Sequence, residues 1–113
     1  MATLAELQQR AYATACAKGW HDSPRNLGEA IALIHSELSE MLECARNGVD
    51  LKHVYFEGPD GPKAKPEGFG IECADVLIRL LDLCGELGLD LEQLTLQKMA
   101  YNDTRPHRHG KVF

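Results

Sequence analysis

Residues 26–48 run NLGEAIALIHSELSEMLECARNG, and their spacing decides the fold. Leu27, Ala30, Ile31, Ile34, Leu38, Met41, Leu42 and Ala45 recur at three- and four-residue steps, the period of one helical face. Asn26 followed by Glu29 supplies a start signal, and Gly48 supplies the stop, because a left-handed residue costs little there. Outward from this segment, Thr3 with Glu6 opens a first helix that runs to about Lys18, before Gly19. A third helix is predicted from near Pro66 to Gly88, with Gly68 and Gly70 weakening its first turns. Asp90 with Gln93 opens a fourth, which must end by Pro106. The chain shows no convincing strand alternation, although Val54-Tyr55-Phe56 reads as either a short strand or an apolar anchor. The connection over residues 48–65 is longer than most loops in compact domains, a length typical of lids and binding loops. The expected fold is all-α: a four-helix, bundle-like single domain over residues 1–113.

Composition bounds the function. At 113 residues, 44% apolar and 26% charged, the chain is sized and balanced for one ordered domain. Twelve Lys and Arg against seventeen Asp and Glu leave a formal charge of −5, which argues against general affinity for nucleic acid polymers. No basic n-region with an apolar run opens the chain, and no stretch is long and apolar enough to span a membrane. Cys16, Cys44, Cys73 and Cys84 form no C-x-x-C pair and fall in helical apolar patterns, as expected of reduced thiols in the cytoplasm.

The carboxylates carry the chemistry. On the second helix Glu37 falls among Ala30, Leu33, Met41 and Cys44, with Glu40 beside it, whereas Glu43 lies across from Ile34. On the third, apolar residues surround most of the circumference and confine Glu72, Asp75, Arg79, Asp82 and Glu86 to one strip. A helix apolar over so much of its girth is central or shared with another subunit. Glu37-x-x-Glu40 and Glu72-x-x-Asp75 each place both acids on one face. Two carboxylates about 5 Å apart repel by roughly 3 kcal/mol at an effective dielectric near 20. Four facing one another require proton uptake or a cation, and Mg2+ suits an all-oxygen donor set that lacks Cys and His. One E-x-x-E alone is most often a solvated face, salt-bridged to lysines or here to Arg79; two on adjacent helices point toward the cation.

Lys98, Asn102 and Arg105 share a face of the fourth helix, with Leu91, Leu94 and Met99 expected on its buried side. The cations there suit phosphate oxygens, or simply complement the helix dipole. Trp20, the sole tryptophan, precedes His21 in the first connection, where it either stacks on a base or plugs the end of the bundle. The tail His107-Arg108-His109-Gly110-Lys111 adds positive charge that either closes over a polyphosphate or stays solvated.

Taken in order, Ser36-Glu37-Leu38-Ser39-Glu40, Glu72-Cys73-Ala74-Asp75-Val76-Leu77 and Lys98-Met99-Ala100-Tyr101-Asn102 resemble the MazG-like all-α nucleoside triphosphate pyrophosphohydrolases. The resemblance covers about Trp20 to Lys111. It implies magnesium, with manganese as a substitute, held by Glu37, Glu40, Glu72 and Asp75. It also implies phosphate contacts from Lys98 and Arg105 and a metal or phosphate role for Asn102; Trp20 and His21, read from their place in the first connection, complete the candidate substrate-binding set. The implied reaction cleaves a nucleoside triphosphate to the monophosphate and pyrophosphate, in a homodimer or homotetramer with sites at the subunit interface. One position departs from the pattern. Many members open the first motif with two glutamates, the first a candidate general base, but Ser36 stands there. Either the metal alone activates the attacking water, or one of the remaining acids orients it. Two other readings stay open: a non-catalytic helical oligomer that binds nucleotide or a protein partner, and a phosphoribosyl-nucleotide pyrophosphatase of the same architecture.

Overall fold

The computed structural model describes residues 1–113, apart from the side chain of Pro62. Four helices dominate it: α1 Leu4–Ala17, α2 Leu27–Arg46, α3 Phe69–Leu87 and α4 Leu91–Asn102. Three start where a side chain can take an otherwise unpaired amide. Thr3 accepts from Glu6 N, Asn26 from Glu29 N and Asp90 from Gln93 N. α3 ends at Gly88, whose φ of 67° is the left-handed conformation that closes a helix.

The start of α3 differs from the sequence expectation. Pro66 belongs to a strand instead, because Lys65–Glu67 (β2) pairs antiparallel with Tyr55–Glu57 (β1), Phe56 opposite Pro66. Val54-Tyr55-Phe56 therefore does lead into a strand, and residues 48–65 form most of a hairpin. Gly68 joins β2 to α3 with φ 132°, and a Cβ there would stand 2.4 Å from the His53 carbonyl oxygen. Only glycine fits.

α3 is central, with α1 and α2 packed on it, while α4 packs on α1. The α1–α3 approach is close because position 85 lacks a side chain; a Cβ there would meet Tyr12 Cβ at 2.7 Å. The buried apolar core is small, comprising Ala30, Leu81, Leu83 and Cys84 among the described residues. Leu33, Leu38 and Leu42 on α2, Leu77, Leu80 and Leu87 on α3, and Leu96 on α4 remain exposed. Leu94 and Met99, expected on a buried side of α4, are also exposed. The accessible surface of 8848 Å² compares with about 6,200 Å² for a folded monomer of this mass. The radius of gyration, 16.8 Å, compares with about 13 Å for a compact chain of this length. No helix among the described residues is long and apolar enough to cross a membrane.

Candidate metal centre

The polar strip of α3 organises two ionic clusters. Glu72, Asp75, Arg79, Asp82 and Glu86 recur at steps of three and four and so lie along one face. At its C-terminal end the strip is met by the Arg25 guanidinium and the His21 ring. His21 Nε2 lies 2.7 Å from Asp82 Oδ1, and its Nδ1 meets Glu86 Oε2. Arg25 reaches Asp82 Oδ2 at 3.3 Å and Glu86 Oε2 at 3.1 Å. Burial works against the Glu86 carboxylate, yet Arg25 and His21 outweigh it and hold the group below its ordinary value. The network fastens the α1–α2 connection to α3. Removing Arg25 leaves a largely buried Asp82 short of its counter-ion, so Arg25→Ala is expected to cost about 3 kcal/mol in urea unfolding. A loss below about 0.5 kcal/mol would mean that solvent already screens the pair.

At the N-terminal end the charges do not balance. Carboxylate oxygens of Glu37, Glu40 and Glu72 lie within 4.8 Å of one another. Asp75 is outside that triplet but feels Glu37 and Glu40 electrostatically. The one cation paired with these acids among the described residues is Arg79, whose Nε donates to Glu37 Oε1 at 2.7 Å. The solvated-face reading is thus realised for Glu37 in part: it has its arginine, while its side chain is only 11% exposed.

Glu72 shows the strain of the arrangement. Burial, a hydrogen bond with Glu40, and then the charges of Glu40, Asp75 and Glu37 push its carboxyl up to about 7. Its Oε2 is buried with no hydrogen-bond partner. Burial also raises Asp75, as do Glu37 and Glu40, with Arg79 opposing. An orphaned, buried carboxylate oxygen beside two further carboxylates fits a hard divalent cation, which takes oxygen ligands and keeps several waters. The oxygens lie close enough together to share a single ion's coordination sphere.

The structure brings the four acids to one α2–α3 interface but not the other site residues predicted from sequence. Lys98 and Arg105 both sit by the Tyr101 ring, at 4.8 Å and 5.7 Å from its centroid. Arg105 lies past the end of α4, and neither cation forms an ion pair with the acids among the described residues. Asn102 has a buried Oδ1 with no partner. Trp20 is 70% exposed, so it does not plug the bundle. His21 is committed to Asp82 and Glu86 and is largely buried. Its partners lie 61 and 65 positions away, beyond what spacing can reveal. Arg79 was visible on the strip, but its bond to Glu37 depends on how α2 and α3 cross. Ser36 donates to the Leu33 carbonyl within its own helix at 2.6 Å. No model of a known protein family matches the chain, and neither does any curated protein or solved structure.

Proposed function

We propose that this chain is a magnesium-dependent pyrophosphohydrolase that cleaves a nucleoside triphosphate to the monophosphate and pyrophosphate. The supporting observation is the contrast along α3: two acids matched by His21 and Arg25 at one end, and four acids against Arg79 alone at the other. Glu37, Glu40, Glu72 and Asp75 would hold Mg2+, with Mn2+ as a substitute. When bound, the metal supplies Lewis-acid chemistry that lowers the pKa of the attacking water and neutralises the leaving pyrophosphate. The carboxylates would fix the metal's position and, with Ser36 lacking basic character, the water would either be activated by the metal alone or be oriented by one of these acids. Lys98 and Arg105 supply donors to phosphate oxygens, and Asn102 offers its unpaired oxygen or its amide.

This reading includes assembly of a homodimer or homotetramer. The surplus of roughly 2,600 Å² of surface over a compact monomer is the scale of an obligate interface. A second copy over the exposed leucines of α3 and α4 would bury it and can bring the cations of one subunit to the acids of the other. The cytoplasm, where the four free cysteines stay reduced, is the compartment this reading implies.

Pyrophosphate release from a panel of canonical and modified triphosphates, with Mg2+ and with protein shown to be folded, is the test. No turnover of any of them would reject the reading. The hydrogen bond of Ser36 to its own helix, at the position where a base would stand, favours one rival: a non-catalytic oligomer that binds nucleotide. Calorimetry separates the two, since the rival retains nucleotide affinity and releases no pyrophosphate. A phosphoribosyl-nucleotide substrate is the second rival, and it belongs in the same panel.

A further inference from the structure

We propose that Arg79 is an exchangeable counter-ion: it occupies Glu37 in the metal-free protein, yields that carboxylate when a divalent cation enters, and then turns to an anionic ligand. The inference rests on the carboxylate cluster being a metal centre and assigns a role to a residue outside that ligand set.

Three observations carry it. Arg79 follows Asp75 by four residues on α3, so it shares the face that looks onto the acids. Its Nε donates to the same Glu37 whose carboxylate joins the oxygen cluster, so guanidinium and cation compete for one group. The pair is also asymmetric. Glu37 is 11% exposed at its side chain, whereas Arg79 is 41% exposed. The arginine therefore reaches in from the rim and can swing away without opening the helix interface. Arg25 is different: at 22% exposure it bridges two carboxylates and is built in. Once released, a guanidinium at the rim of a cation site is placed for bidentate contact with phosphate oxygens.

The sign of the metal effect separates exchange from simple structural tying. Arg79 must give up Glu37 before the ion can take it, and the attraction of unit charges 2.7 Å apart is worth about tenfold in an equilibrium constant even at the dielectric of water. Mn2+ titration calorimetry at fixed ionic strength should therefore show the R79Q protein binding Mn2+ about tenfold more tightly than wild type. Without metal, R79Q should melt at a lower temperature than wild type, because Glu37 loses its donor. Inorganic pyrophosphate should bind Mn2+-loaded R79Q more weakly than Mn2+-loaded wild type. R79K, which keeps the charge but not the fork, should restore the wild-type Mn2+ affinity and only part of the pyrophosphate affinity. Equal or weaker Mn2+ binding by R79Q, with wild type binding normally, would overturn the role of Arg79 alone. Failure of wild type to bind Mn2+ would overturn both this role and the metal centre.

Discussion

Glu72→Gln is expected to abolish pyrophosphate release, lowering kcat by about 10³-fold or more, while the chain stays folded. The amide keeps the shape of the carboxylate and withdraws its charge, so the effect falls on the cation and not on packing. Folding gives an independent readout. Glu72 titrates at about 7 in the folded chain against an ordinary value of 4.5. Between those values the folded state holds a proton that the unfolded state has released. Its contribution to stability is complete below pH 4.5 and declines as pH rises to 7. The metal-free E72Q protein has no such proton to lose, so its melting temperature should be flatter over that window and higher than wild type above pH 7. Mg2+ should stabilise wild type more at pH 8 than at pH 6, because protons and metal compete for the same oxygens, and should do little for E72Q. Thermal melts from pH 4.5 to 8, with and without Mg2+, measure all of this. Retention of a tenth of wild-type turnover by E72Q would remove the cluster from the chemistry.

Leu80→Glu is expected to break the proposed homo-oligomer. Leu80 is 38% exposed, with Leu77 and Leu87 a turn or two away on the same side of α3. On a face that truly met water, a charge there would change stability by only about 0.5 kcal/mol. On a face covered by a second copy it buries an unpaired carboxylate, at a cost of several kcal/mol. For a domain of this size that loss lowers the melting temperature by about 10 °C or more at micromolar concentration. Sedimentation velocity should show wild type as a dimer or tetramer and L80E as a monomer or unfolded chain. Wild-type melting should also rise with protein concentration, as folding linked to association requires. A monomeric wild type with a concentration-independent midpoint would defeat this expectation.

The helices were legible because their signals are local. Thr3 with Glu6, Asn26 with Glu29 and Asp90 with Gln93 each place acceptor and amide within one turn, and each start lies where those pairs predict. The hairpin was legible only in its first strand, as one of two readings of Val54-Tyr55-Phe56. Strands of three residues are too short for an alternating pattern, and Pro66 serves as well in an edge strand as at a helix start. The face shared by Glu37 and Glu40, and the strip from Glu72 to Glu86, follow from helical periodicity. Their neutralisation does not, because it depends on contacts across 42 residues for Arg79 and Glu37, and 61 for His21 and Asp82. Lys98 on α4 and Arg105 beyond its end gather at the Tyr101 ring, but spacing does not say which surface they meet.

Gly68 gives the hairpin a mechanical meaning. The strand turns into α3 through a position with no room for a side chain, four residues before Glu72, whose amide donates to the Gly68 carbonyl. The hairpin thus runs directly into the first turn of the helix that bears Glu72 and Asp75. Any side chain at position 68 would therefore displace the helix start on which Glu72 stands, and the spacing of the three clustered carboxylates would go with it.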